Sequence, residues 1–149
     1  MHSEFKEMLS LLESEGVEYL VVGGLAYAEY AEPRYTKDID IWIRIDTRNA
    51  QALFAALAKY GAPLDGVKPE DFEVPDRFFQ IGVPPIRIDI LMGIDGVEFE
   101  SAWQRRRIRP YEDVNVNYLS KEDLITNKLA SGRPQDLVDV DILKQAPEY

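Results

Sequence analysis

Asp38 and Asp40 stand one residue apart in the segment K-D-I-D-I-W-I-R-I, residues 37–45. Its alternation predicts a β-strand. Ile39, Ile41, Ile43 and Ile45 take one face, and Asp38, Asp40, Trp42 and Arg44 take the other. Two carboxylates then project the same way, roughly 6–7 Å apart at Cα. With no cation between them they repel. A hard divalent ion such as Mg²⁺ takes oxygen ligands of this kind, usually one or two carboxylates plus substrate phosphates. Residues 86–91 repeat the pattern, with Ile86, Ile88 and Ile90 facing one way and Arg87, Asp89 and Leu91 the other. If the two strands are neighbours, roughly 4.8 Å apart, Asp89 joins Asp38 and Asp40 on one sheet face. Three carboxylates there form a two-metal or metal-plus-base site. Arg87 reads either as the cation that neutralises these acids or as a phosphate ligand. Taken alone, D-x-D is as readily a solvated strand face paired with lysines.

The elements around the acids follow from local pattern. Residues 3–15 read as a helix, with Ser3 as N-cap, an apolar stripe of Phe5, Met8, Leu9, Leu11 and Leu12, and Gly16 as its close. Residues 17–22 form a short apolar strand. Gly23-Gly24 turns the chain into a brief helix over 25–30, which Pro33 ends. Glycine lets the backbone approach a ligand closely, and the helix N-terminus behind it favours an anion. Thr47 caps a helix over 48–59, with Ala50, Leu53, Phe54 and Leu57 inward and Gly61 at C′. Residues 62–74 are irregular, punctuated by Pro63, Gly66 and Pro69. Residues 77–83 and 86–91 pair antiparallel across Pro84-Pro85. A helix over 97–106 follows, then strands at 108–111 and 114–118, or one strand interrupted near Glu112-Asp113. Ser120 caps a helix over 121–130, with Asp123 in the capping-box position and Gly132 as its stop. Pro134 opens a last helix to Lys144. This order predicts an α+β or mixed α/β domain with one mixed sheet flanked by helices.

At 149 residues the chain fits one domain, residues 1–149, with a core of its own. A formal charge of −10 weighs against broad binding to a polyanion, although a small basic patch can still touch RNA. With no cysteine, disulfides, Cys-ligated zinc and thiol catalysis are excluded. The single histidine, His2, lies at the N-terminus and leaves no internal His as catalyst or ligand. The opening M-H-S-E-F-K-E-M-L-S reads as an amphipathic start rather than a signal peptide. No apolar run approaches the ~18 residues that span a bilayer. The expected location is cytoplasmic.

The combination V-G-G, thirteen residues, then D-I-D-I, with a third Asp of matching parity, resembles the signature of the polymerase-beta-like nucleotidyltransferase superfamily. Arg34 and Thr36 just before it resemble the R-x-T of the abortive-infection, AbiEii-type branch and related minimal nucleotidyltransferases. The tail I-T-N-K-L-A-S-G-R-P-Q-D-L-V-D-V is similar to that branch's C-terminal motif, covering Lys128, Arg133, Asp136 and Asp139. The resemblance implies a nucleotidyltransferase-like central sheet with C-terminal helices, and a place in a toxin–antitoxin pair. It implies Mg²⁺, or Mn²⁺, on Asp38, Asp40 and Asp89, with Asp89 also helping to deprotonate an acceptor hydroxyl. Gly23 and Gly24 would lie against the phosphates of an NTP, Lys128 would reach its β- or γ-phosphate, and Arg34 and Thr36 would add phosphate contacts. Such a reaction is mostly positioning and charge neutralisation. The acceptor is a tRNA end, a protein side chain or a small molecule. No appended substrate-binding domain is expected, which leaves room for a homodimer or a partner protein.

Several residues have bland alternatives. Lys128 also reads as a surface lysine, Arg133 and Asp136 as a local cap and pair, Asp139 as a solvated helix position, and Arg34 and Thr36 as plain loop. Residues 104–109, Q-R-R-R-I-R, are the one basic cluster. They read as a solvated helix end suited to the macrodipole, or as a contact for tRNA. Trp42 and Trp103 read as packing residues. Haloacid-dehalogenase phosphatases also carry D-x-D, but want Thr or Val where Trp42 stands. Glycosyltransferases that use D-x-D are larger. A non-catalytic nucleotide sensor, antitoxin or scaffold on a decayed transferase fold is the rival from another class. The presence of all three acids argues against it.

Overall fold

A computed structural model describes residues 3–32, 37–82 and 86–147. The elements run α1 (Ser3–Ser14), β1 (Tyr19–Val22), α2 (Gly23–Tyr30), β2 (Asp38–Ile43), α3 (Thr47–Tyr60), β3 (Phe78–Ile81), β4 (Arg87–Leu91), α4 (Phe99–Gln104), β5 (Arg107–Tyr111), β6 (Val114–Tyr118), α5 (Lys121–Ser131) and α6 (Pro134–Gln145). The expected irregular stretch after α3 contains a short 3₁₀ turn, Pro69–Glu73, opened by proline. Residues 107–118 are two strands forming a hairpin, with Glu112 at φ 55° in the turn.

One mixed sheet of six strands runs in the order β3-β4-β2-β1-β6-β5. β1 and β2 are antiparallel, β2 and β4 parallel, and β3 and β4 antiparallel. The period-2 pattern of β2 has the predicted consequence. Ile39, Ile41 and Ile43 are each 0% exposed and share one apolar cluster with Ile88 and Ile90 of β4, Phe5, Met8, Leu9 and Leu12 of α1, and Leu53, Ala56 and Leu57 of α3. Burying an isoleucine contributes roughly 1.5–3 kcal/mol. A one-residue slip of β2 would turn all three to the polar face, so this burial fixes the register of Asp38 and Asp40.

Helix ends set the remaining geometry. Asp46, rather than Thr47, caps α3: its carboxylate accepts from the backbone N–H of Asn49 at 2.6 Å. Asn49 is fully buried and ties β1 to β2. Its Nδ2 donates to the carbonyls of Glu18 (3.0 Å) and Arg44 (2.8 Å), and its Oδ1 accepts from Glu18 N–H at 2.7 Å. Ser120 caps α5 as expected, accepting from Asp123 N–H at 3.1 Å. Among the described residues no helix is long and apolar enough to cross a membrane.

Candidate functional site: an acid row beside an uncapped helix start

Register places the carboxylates together. Across β2 and β4, Asp40 is paired with Asp89 and Asp38 with Arg87; across β1 and β2, Val22 is paired with Asp40. On the outer side Gln80 of β3 is paired with Asp89. Residues opposite one another share a face. Gln80, Asp89, Asp40 and Val22 therefore form one row across four strands. Phe78, Leu91, Trp42 and Leu20 form the next. Gln80 and Phe78 are both exposed, Phe78 at 64%. The hairpin's alternation hinted at their parity, but the length of its loop hid their register.

Asp89 is buried, and Asp40 is pushed up to about 7 from an ordinary 3.8. Desolvation is the largest cause. The charge of Asp89, a hydrogen bond shared with it, and the charge of Asp38 add to the shift, and Arg87 opposes it. The like charges of Asp89 and Asp38 oppose ionisation of Asp40, which keeps its carboxyl protonated to higher pH. Arg87 lies over the acids: its Nη2 donates to Asp38 Oδ2 at 3.0 Å, and its Nε stands 3.2 Å from Asp89 Oδ1.

Gly23 explains why the chain turns from β1 directly into α2. Its φ is +67°, and a Cβ there would sit 2.2 Å from Asp40 Oδ2. The glycine pair is the first turn of α2, not a separate turn before it. Val22 gives no side-chain cap, and the first turn holds no acid. The first N–H groups of α2 are thus unclaimed by a cap next to Asp40, an arrangement that favours an anion.

Lys128 is buried, not a surface lysine. Its Nζ lies 3.0 Å from Asp139 Oδ2 and 3.7 Å from Asp136 Oδ1, and 5.7 Å from the centre of the Tyr27 ring on α2. Tyr27 is one helical turn beyond Gly23-Gly24, so α2 links the lysine to the acid row. Asp139 is 1% exposed, which overturns the solvated reading. Arg133 and Asp136 do pair locally, Nε to Oδ2 at 2.7 Å, and the guanidinium holds the Asp136 carboxyl below its usual range. Arg34 and Thr36 lie outside the described residues.

The basic cluster is drawn into the fold. Arg105 grips buried Asp123 with two hydrogen bonds, at 3.0 and 2.8 Å. Arg106 stacks 3.9 Å over Trp103, and Arg109 pairs with Glu29 at 3.6 Å. Trp42 packs edge-on against Phe99, ring centres 4.9 Å apart, and Phe99 stacks on Trp103.

Among the described residues no group of three or more His, Cys, Asp or Glu side chains is gathered to hold a metal ion as it stands, with Asp38 drawn to Arg87. The donor chemistry nonetheless fits a hard divalent cation. All three side chains offer oxygen. Asp89 Oδ1 is buried and makes no hydrogen bond, having only the ionic approach of Arg87.

The fold is similar to two solved structures. A Thermotoga maritima protein assigned as a nucleotidyltransferase matches at 17% identity and a TM-score of 0.60, covering 92% of this chain and 88% of that one. The lincosamide antibiotic adenylyltransferase LnuA, bound to lincomycin, matches at 20% identity and a TM-score of 0.60, covering 97% of each chain. No curated protein matches the sequence. A family model, described as nucleotidyltransferase of unknown function (DUF6036), matches residues 2–145. With nearly the whole chain matched and the same fold in both neighbours, this protein belongs to that nucleotidyltransferase family.

Proposed function

We propose that this protein transfers a nucleoside monophosphate from an NTP to an acceptor hydroxyl and releases pyrophosphate. The observation that carries the reading is the register row, which sets Asp40 beside Asp89 with the uncapped start of α2 against Asp40. Asp38, Asp40 and Asp89 would hold Mg²⁺, or Mn²⁺, which when bound neutralises the triphosphate and raises the electrophilicity of the α-phosphorus. The N–H groups at Gly23 and Gly24 bind phosphate oxygens. Lys128 exchanges Asp139 for the far end of the triphosphate. Asp89 takes the proton of the acceptor hydroxyl as its oxygen bonds to the α-phosphorus and the α–β bridging bond breaks. Positioning and charge supply most of the rate.

The acceptor approaches over β3 and β4, where Gln80 and Phe78 are exposed beside Asp89. The net charge of −10 and the internal pairing of Arg105 and Arg109 favour a protein hydroxyl or a small molecule over a tRNA end. Lincomycin is bound to LnuA; a hydroxyl-bearing small molecule is the matching expectation for this chain. Arg34, Thr36 and the C-terminal motif point to the finer AbiEii-type reading, a toxin with an antitoxin partner. A homodimer is the other arrangement that would complete an acceptor site.

The test is to incubate the protein with each α-³²P-labelled NTP, Mg²⁺ and a cell extract fractionated by size. Transfer of label to one fraction with pyrophosphate release is expected, and is expected to vanish in Asp89→Asn. Binding of NTP without transfer to any fraction would instead favour a nucleotide sensor, antitoxin or scaffold on this fold.

A further inference from the structure

Among the described residues, Arg87 is a basic side chain that touches the acid row. It begins opposite Asp38, and its guanidinium reaches both Asp38 and Asp89, which lie on two strands. The two contacts differ in quality. The bond to Asp38 is aligned at 3.0 Å, whereas Arg87 Nε and Asp89 Oδ1, 3.2 Å apart, complete no hydrogen bond with each other or with any other group. The five-donor fork is therefore bidentate on neither carboxylate, although bidentate pairing is its strong mode. The Arg87 side chain is 32% exposed and has a path outward. Its two carboxylate partners are also two of the three oxygen donors a divalent cation would need. A guanidinium and a divalent cation cannot both sit on them without strong like-charge repulsion.

We propose that Arg87 is an exchange residue. It holds Asp38 and Asp89 until a divalent cation arrives bound to a triphosphate, then gives up the carboxylates to the cation and takes phosphate oxygens as its new partners. This rests on the nucleotidyl-transfer reading only in taking a triphosphate as the ligand. A bare cation displaces the guanidinium into water and leaves it without a partner. A cation–nucleotide complex brings the partner along, and phosphate matches the planar fork. Metal and nucleotide consequently load together.

The test uses the full-length chain with Mn²⁺ alone, counted by electron paramagnetic resonance, and with Mn²⁺ plus each α,β-methylene NTP, titrated calorimetrically. Arg87→Met is expected to bind Mn²⁺ alone about tenfold more tightly than wild type and the Mn²⁺–analogue complex about tenfold more weakly, the scale of one charge-assisted hydrogen bond. Arg87→Lys keeps the charge and loses the fork. It is expected to match wild type toward Mn²⁺ alone and to resemble Arg87→Met toward the complex; it also serves if Arg87→Met does not fold. Both affinities moving in the same direction would mean that Arg87 does not pass from carboxylate to phosphate, and no movement would leave a plain structural ion pair. Either result overturns the exchange. A wild type that binds Mn²⁺ but none of the analogues would remove the nucleotide reading as well.

Discussion

Half-burying Asp40 beside Asp89 and Asp38 places a charge conflict in the folded chain. Its folded value is raised to about 7, above the ordinary 3.8. A carboxyl with a raised value favours the folded state while protonated. That contribution is complete below about 3.8 and is lost as pH climbs through about 7. Between these limits metal-free protein should lose stability with rising pH at this group. Asp40→Asn cannot ionise, so its stability should be flatter across that window and higher than wild type at pH 8, by on the order of 1–2 kcal/mol. Urea unfolding at pH 5 and pH 8 reads this directly, and an unchanged pH slope would discount the conflict. Gly23→Ala tests the other contact. A Cβ 2.2 Å from Asp40 Oδ2, at φ +67°, should cost roughly 1–2 kcal/mol in backbone strain and push the carboxylate out of line. Weakened Mg²⁺–NTP binding in calorimetry should accompany the lower melting temperature. At this scale the sequence was informative: period-2 alternation set the parity of all three acids. Arg87 was legible as the cation that neutralises the acids, and it does reach Asp38 and Asp89; its pairing opposite Asp38 across two strands far apart in sequence was not.

Two elements carry the site, the β2–β4 pair and α2. The first was readable because both strands bury isoleucine on one face, which sets the parity of their acids. α2 was readable as a brief helix, but its start was misplaced by two residues: it begins at Gly23, whose φ of +67° favours glycine and whose missing Cβ leaves room for the Asp40 carboxylate. The α5–α6 pair was harder. Asp139 was open to a solvated reading because α6 has no clear apolar stripe. Its spacing of three from Asp136 nevertheless puts both carboxylates on one flank, and Lys128 of α5 sits there. Removing that ammonium would leave two buried carboxylates short of charge. Lys128→Ala should cost about 3–5 kcal/mol, and Lys128→Met, which keeps the volume, should also destabilise strongly for the same reason. Thermal unfolding of both variants measures this. A loss of nucleotide affinity with unchanged stability would instead make Lys128 purely a ligand-binding group.

Across the whole molecule, the mixed six-stranded sheet follows from the order of its elements, but the strand order β3-β4-β2-β1-β6-β5 does not. Propensity and periodicity report local structure, whereas crossovers depend on which buried faces fit. The basic run at 105–109 illustrates the same limit. Read locally it was a solvated helix end or a polyanion contact; in the fold Arg105, Arg106 and Arg109 are taken up by Asp123, Trp103 and Glu29. Among the described residues, the acid row and the start of α2 thus remain the site proposed for a ligand. Calorimetric titration of each of the four NTPs, with and without Mg²⁺, on wild type and on the Asp38→Asn, Asp40→Asn double variant tests the central claim most directly. Binding of at least one NTP that requires Mg²⁺ and disappears in the double variant is the predicted result. Wild type that binds no NTP with Mg²⁺ present, or a double variant that binds as wild type does, would contradict it.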